Sequence, residues 1–210
     1  MTGRIEYTGN IAERPLHTEG ETLLLEQPPT KIRYITGRGG SLDHGLSPYL
    51  ATLSDDYQGL AVDSVLLSLP IDEQLQHVTD FWLGASGGHL IVNSYGGYLL
   101  MLSLIDANQA PERVLMLSPL LGRSLFRESF FASRPPREPV LRKALEGGRV
   151  QRSDYLRIVT GGDDEICCPL LAQSVADQLR ADQIDILDGQ SHSLARESVS
   201  RTISAFLAVD

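Results

Sequence analysis

The chain has 210 residues, of which 42% are hydrophobic and 21% are charged, and both values are typical of a globular domain with a single core. Its 18 basic and 27 acidic residues leave a net charge of −9, which argues against a general binder of nucleic acid or anionic membranes, because both need a positive field. No apolar run approaches the ~18 residues of a membrane span, and the first residues lack the apolar stretch of a signal peptide. We therefore expect a soluble, cytoplasmic protein that forms one domain over residues 1–210.

Short apolar runs alternate with helix-sized segments along the chain. A polar arm at residues 1–20 comes first, and Pro28 and Pro29 separate the first two predicted strands. This alternation is typical of an α/β protein with a mostly parallel, twisted sheet and helices on both faces. The predicted strands are residues 22–25, 32–36, 59–69, 90–92, 114–117, 156–160 and 184–187, and the predicted helices are residues 46–53, 73–83, 97–108, 169–181 and 194–209.

Parallel sheets carry their reactive groups in loops at the carboxyl ends of the strands, and one such loop contains a serine. Asn93-Ser94-Tyr95-Gly96-Gly97 follows a strand and leads directly into a helix. A serine on a sharp turn of this kind presents its hydroxyl beside a helix N-terminus, as a nucleophile does. Taken alone, Ser94 is more often a helix cap than a nucleophile.

Two later loops carry an acid and a histidine in the same relation to a strand. Asp163 and Asp164 follow the strand at 156–160, and His192 follows the strand at 184–187. Taken singly, such carboxylates are usually helix caps, and a lone loop histidine is usually a solvated surface group. The remaining histidines have no comparable setting and are interpreted as structural or solvated; they are His17, His44, His77 and His89.

The combination is more specific than its parts. Ser94, Asp164 and His192 follow the chain order of serine, acid and histidine in one triad-bearing architecture. On these loops the chain resembles small α/β-hydrolase-fold serine hydrolases over roughly residues 22–209. The resemblance implies that Ser94 is the nucleophile, His192 its general base and Asp164 the acid, with Asp163 as the alternative acid.

A glycine-rich loop follows the strand at 32–36. Thr36-Gly37-Arg38-Gly39-Gly40 resembles the His-Gly-x-Gly-Gly oxyanion loop of that family, which implies that the backbone N–H groups of Arg38 and Tyr95 bind the oxyanion. The alternatives are a plain tight turn and a phosphate-binding loop, although no Lys-Ser/Thr follows the glycines. The chain departs from the family pattern at Val92, where a small residue is usual, and at Thr36 and Asn93, where histidines are common.

Residues 118–155 occupy the position of a cap in this fold and are short enough for one or two helices. Phe126, Phe130 and Phe131 either seat this segment on the core or form an apolar wall for the acyl group of a substrate. Residues 118–157 contain nine basic and four acidic residues. Such a run is either a solvated face or a basic rim that attracts an anionic substrate.

The sequence therefore predicts a serine hydrolase that cleaves a small-molecule carboxylic ester through an acyl-enzyme. A thioesterase acting on an anionic acyl-thioester is one alternative, and a non-catalytic binding protein on the same fold is another. No cofactor, metal, nucleic acid or membrane partner is expected. The adjacent Cys167 and Cys168 lack any zinc-binding spacing and are interpreted as small core residues.

Overall fold

The computed structural model describes residues 31–84, 86–122 and 135–209, and six parallel strands in these ranges form one sheet. The strands are β1 (Ile32–Ile35), β2 (Tyr57–Leu60), β3 (His89–Asn93), β4 (Arg113–Leu117), β5 (Tyr155–Gly161) and β6 (Gln183–Leu187). Their order across the sheet is β2-β1-β3-β4-β5-β6, and every neighbouring pair is parallel. The predicted parallel α/β architecture is thus confirmed.

Helices connect the strands and cover the sheet. The helices of the described residues are α1 (Ser47–Ala51), α2 (Ser64–Ser68), α3 (Ile71–Leu83), α4 (Tyr95–Ser103), α5 (Glu138–Glu146), α6 (Pro169–Leu179) and α7 (Arg196–Leu207). No helix in these ranges is long and apolar enough to cross a membrane.

The core lies on both faces of the sheet because successive side chains of a strand point to opposite faces. In β3, Leu90 and Val92 belong to one cluster of buried side chains, together with Tyr98 of α4. Ile91 belongs to a second cluster, together with Phe206 of α7. Burial on both faces explains why the central strands are continuous apolar runs in the sequence.

The prediction of one strand over residues 59–69 is wrong. β2 ends at Leu60, and α2 begins at Ser64, since the carboxylate of Asp63 accepts hydrogen bonds from the N–H groups of Val65 and Leu66. This cap turns an apolar run into one helical turn, which buries Leu66 and leaves Val65 exposed.

Helix α4 ends earlier than the predicted range 97–108. Leu104 is its C-cap, and Asp106 follows with φ 54° while its N–H donates to the carbonyl of Arg149. That bond directs the chain away from the helix axis. The predicted arm at 1–20 and the predicted strand at 22–25 lie outside the described residues.

The predicted cap segment is described only in part. Helix α5 lies within residues 118–155, and the hydroxyl of Tyr98 on α4 donates to the carbonyl of Pro136 just before it. The apolar wall stays a prediction, as does the single domain over residues 1–210. The phenylalanines of that wall lie outside the described residues; they are Phe126, Phe130 and Phe131.

Candidate active site

Ser94 stands at a sharp turn between β3 and α4. Its backbone has φ 48° and ψ −116°, a conformation that L-residues rarely adopt. The helix that follows can approach so closely only because its second and third residues are glycines. A Cβ at Gly96 would lie 2.4 Å from the carbonyl oxygen of Thr36, and a Cβ at Gly97 would lie 2.9 Å from Cβ of Pro119.

The Ser94 hydroxyl makes no capping hydrogen bond to α4. Its Oγ lies 3.0 Å from Nε2 of His192 instead. This contact joins two loops that are 98 positions apart in the sequence. The structure therefore disfavours the helix-cap interpretation of this serine.

The imidazole of His192 is held on its other side by a carboxylate. Its Nδ1 lies 3.0 Å from Oδ2 and 3.2 Å from Oδ1 of Asp164. With the Nδ1 proton donated to this carboxylate, Nε2 has its lone pair directed at Ser94 Oγ. Asp163, the alternative acid, is exposed, so the geometry favours Asp164.

The Asp164 side chain is fully buried, and three further groups hold it in place. Its Oδ1 accepts hydrogen bonds from the N–H groups of Ile166 and Cys167, at 2.9 and 2.7 Å. Thr160 Oγ1 donates to Oδ2 at 3.3 Å. A buried carboxylate needs such donors, because it has lost its hydration.

The loops that carry Asp164 and His192 touch at a glycine. A Cβ at Gly161 would lie 2.1 Å from the carbonyl oxygen of Gln190 and 2.4 Å from that of Ser191. The N–H of Asp163 donates to the Gln190 carbonyl at 2.9 Å. The missing side chain at position 161 thus lets the histidine loop cross directly over the acidic loop.

The same pair lies beside a cysteine. One potential ligand atom each from Asp164, Cys167 and His192 lie within 4.8 Å of one another. The Cys167 thiol, however, donates to the carbonyl of Ser118 at 3.1 Å, and burial raises the pKa of this thiol far above its usual range. Each member of the cluster thus has a hydrogen-bond partner within the protein, the cysteine in a backbone carbonyl and the aspartate and histidine in each other.

The glycine-rich loop after β1 lies against the serine. A Cβ at Gly37 would lie 3.2 Å from Cβ of Ser94. Arg38 and Tyr95, whose N–H groups were predicted to bind an oxyanion, both line the cavity above the serine. The Arg38 guanidinium lies 5.9 Å from the centre of the Tyr95 ring. Burial raises the pKa of Tyr95 to about 12, against the opposing effect of the Arg38 charge, so its phenol is neutral at physiological pH.

The cavity has a volume of about 500 Å³ and contains Ser94 and His192 at its base. The loop from β1 to α1 supplies much of its wall, including His44, which the sequence had led us to regard as structural or solvated. In the sequence, only the position of His44 indicates that it lines the cavity, because it lies in the loop after the carboxyl end of β1, beside the loop of Ser94. Among the described lining residues none is an aspartate or glutamate, and the apolar ones are Leu46, Leu120 and Ile166.

The basic residues of 118–157 that the structure describes do not form a rim over this cavity. Five arginines lie within 3.2 Å of a carboxylate each. Arg152 precedes β5 and Arg157 lies near its start. Both are therefore near the amino ends of the strands, whereas Ser94 follows a carboxyl end. Four of the five arginines match a solvated, charge-paired face, whereas Arg157 is buried beside Asp185. The five arginines are Arg137, Arg142, Arg149, Arg152 and Arg157.

The similarity of this chain to known proteins lies in its three-dimensional structure. No protein-family model matches the chain, and no curated protein sequence matches it. A monoacylglycerol lipase from Paleococcus ferrophilus superposes with a TM-score of 0.61 at 16% identity, over 85% of this chain and 95% of that one. The ydeN gene product from B. subtilis gives 0.59 at 14% identity, over 86% and 100% of the two chains. Esterase PE8 gives 0.58 at 13% identity, over 85% and 91%. These likenesses show that the chain has the α/β-hydrolase fold.

Proposed function

We propose that this chain is a serine hydrolase that cleaves carboxylic esters through an acyl-enzyme formed on Ser94. The observation that carries the proposal is the 3.0 Å contact between Ser94 Oγ and His192 Nε2, made by a serine on a strained strand-to-helix turn. A serine hydroxyl is a weak nucleophile at neutral pH and needs a base within hydrogen-bond distance. The esterase and lipase among the structural neighbours are consistent with this chemistry.

In the first half-reaction, Ser94 Oγ attacks the ester carbonyl while His192 Nε2 takes its proton. Asp164 accepts a hydrogen bond from the Nδ1–H of the same ring and so favours the tautomer in which Nε2 is unprotonated. It also stabilises the imidazolium that forms, without becoming protonated itself. The imidazolium then donates its proton to the leaving alkoxide, and the alcohol departs.

The carbonyl oxygen becomes an oxyanion as the tetrahedral intermediate forms. Two backbone donors are proposed for it, the N–H groups of Arg38 and Tyr95. Tyr95 is the first residue of α4, whose N-terminus favours negative charge. Fixed donors of this kind stabilise the transition state more than the substrate, because the charge exists only there.

Water completes the cycle by attacking the acyl-enzyme, with His192 again as the base. A cavity of about 500 Å³ is in the range of sites for small ligands. The apolar side chains of Leu46, Leu120 and Ile166 favour a substrate with a short apolar group next to its ester.

The proposal is tested with a fluorophosphonate probe, which reacts with activated serines. We expect the purified protein to be labelled, Ser94→Ala to be unlabelled and His192→Ala to be labelled much more slowly. Ser193→Ala is the matched control, since it removes a serine hydroxyl directly beside His192 and should leave labelling unchanged. A matched oxoester and thioester pair then measures which acyl bond is cleaved faster.

Absence of labelling in the folded protein would contradict the proposal and favour a binding role on the same fold. Labelling that persists in Ser94→Ala would mean that another serine is the nucleophile. Faster turnover of the thioester would favour the thioesterase alternative.

A further inference from the structure

Thr36 ends the first strand, and its hydroxyl makes two hydrogen bonds in the interior of the protein. The side chain is almost fully buried. Its Oγ1 accepts a hydrogen bond from the N–H of Val62 at 2.8 Å and donates one to the carbonyl of Gly37 at 3.0 Å. The bond from Val62 fixes the hydroxyl relative to the loop after β2. The bond to Gly37 holds the Gly37 carbonyl against that hydroxyl.

The Gly37 carbonyl is held from a second side. The N–H of Gly40 donates to it at 3.0 Å, which closes a tight turn over residues 37–40. A Cβ at Gly40 would lie 2.5 Å from Cβ of Thr36, so the threonine side chain fills the interior of that turn. The orientation of this carbonyl is therefore determined by Thr36 and by the turn packed around it.

A fixed carbonyl also fixes the amide on the same peptide unit. The Gly37 carbonyl and the Arg38 N–H belong to one planar peptide, which is trans like every described peptide in the chain. In a trans peptide the N–H points away from the C=O. The two hydrogen bonds on the Gly37 carbonyl thus set the direction of the Arg38 N–H, and Gly37 itself lies against Ser94.

We propose that Thr36 is a positioning residue whose hydroxyl orients the Gly37–Arg38 peptide, so that the Arg38 N–H is aimed at the oxyanion before substrate arrives. This inference rests on the proposed function. Thr36 lines the cavity, but its hydroxyl is bonded to Val62 and Gly37, and it acts through the peptide that it holds. Because the donor is needed only when the oxyanion forms, the effect belongs to the rate of turnover and not to substrate binding.

The test compares Thr36→Val, which removes the hydroxyl at nearly constant volume, with Thr36→Ser, which keeps it. Loss of a whole oxyanion donor lowers kcat by about 10²–10³-fold, so a misdirected donor is expected to lower kcat by about 10-fold to 100-fold in Thr36→Val. KM for a p-nitrophenyl ester should change less than about threefold, since the lost interaction exists only in the transition state. Thr36→Ser should recover most of the wild-type kcat. Thr202→Val, which removes the hydroxyl of a buried threonine in α7, is the matched control and should leave kcat unchanged.

A thionoester substrate provides a second readout. Its C=S sulfur accepts hydrogen bonds weakly, so the wild-type protein should strongly prefer the matched oxoester. That preference should shrink in Thr36→Val and return in Thr36→Ser. A general loss of packing would lower both rates together and leave their ratio unchanged. The pH profile of kcat/KM should stay the same in all variants, because the base is untouched.

Wild-type kcat in Thr36→Val, equal damage in Thr36→Ser, or an unchanged oxoester preference would each overturn the inference. If Thr36→Val does not fold, Thr36→Cys replaces it, because a thiol is a weaker hydrogen-bonding group. Its kcat should fall below that of Thr36→Ser, and equal kcat in Thr36→Cys and Thr36→Ser would overturn the inference. Failure of the proposed function would be seen separately, as a wild-type protein that neither hydrolyses esters nor is labelled at Ser94.

Discussion

At the scale of single residues, backbone hydrogen bonds hold the unusual conformation of Ser94. Its N–H donates to the carbonyl of Leu117 at 3.0 Å, and its carbonyl accepts from the N–H groups of Leu120 and Gly97 at 3.0 and 3.1 Å. A non-glycine residue in such a region costs about 1–3 kcal/mol, which these bonds and the packing around them must offset. The serine side chain is consequently free to project toward His192 and is not used to cap the helix.

The two adjacent aspartates allow a sharp test of the acid. Asp164→Asn should lower kcat by about 10⁴-fold, because an amide cannot hold His192 in the tautomer that accepts a proton at Nε2. Asp163→Asn is the matched control, since its side chain is exposed, and its kcat should match the wild type. The measurement is steady-state hydrolysis of a p-nitrophenyl ester. A loss of kcat in Asp163→Asn alone would instead identify Asp163 as the acid.

His89 should make the fold sensitive to acid. Both of its ring nitrogens are shielded from solvent without a hydrogen-bond partner among the described residues. Burial, aided by the charge of Arg113, lowers its pKa from 6.5 to about 4. Between pH 6.5 and pH 4 the unfolded chain therefore binds a proton at this residue that the folded chain does not. The free energy of unfolding should fall through that window as the pH is lowered.

The measurement is Tm at pH 7.5 and pH 5 for the wild type and for His89→Leu. The variant should lose less Tm over this interval, because it has no imidazole to protonate on unfolding. His77→Leu makes the same change at an exposed histidine of α3 and should lose as much as the wild type. Equal losses in all three proteins would contradict the role assigned to His89.

At the scale of elements, the crossing of two loops at Gly161 makes the site depend on one missing side chain. Gly161→Ala should push the histidine loop away, because the new Cβ would overlap the Gln190 and Ser191 carbonyls. A displacement of about 1 Å can cost about 10²-fold in rate, and we expect a loss of this size in kcat. Gly162→Ala is the matched control, since its nearest contact would be an ordinary 3.4 Å, and its kcat should stay near the wild type. Comparable kcat in the two variants would show that the loops accommodate the methyl group.

The strands of the central sheet were predictable from the sequence, and the error came at its edge. Runs such as 114–117 are apolar on both faces, a pattern that only a covered parallel strand explains. The run at 59–69 looks similar, yet it contains a strand end and a separate helix. The side chain of Asp63 decides the structure of this run, because it caps the helix. A single N-cap residue is harder to recognise in a sequence than a hydrophobic run.

The site was predictable to the extent that it lies at strand ends. Ser94, Asp164 and His192 each follow a strand, and strand ends of a parallel sheet share one edge. The resemblance favoured Asp164 as the acid but left Asp163 open, because the choice depends on which carboxylate turns inward, and in the structure Asp164 does. The hydrogen bonds of Thr36 were equally hidden, since they join residues on separate loops.

At the scale of the whole molecule, the candidate site extends from the middle of the sheet to one of its edges. The serine follows β3, the acid follows β5 and the histidine follows β6, with β4 between the first two. The contact between Ser94 and His192 joins residues 98 positions apart, and it requires four neighbouring strands in register. β6 forms one edge of the described sheet and pairs there with β5 alone, so the base follows an edge strand.

This arrangement has a consequence for the newborn protein on the ribosome. Synthesis runs from the N-terminal end, so β1, β3 and β4 leave the ribosome before β6 does. At that stage Ser94 has left the ribosome, but His192, whose imidazole would activate it, has not. Under the proposed mechanism, Ser94 would therefore become reactive only once β6 pairs with β5 and brings His192 to it.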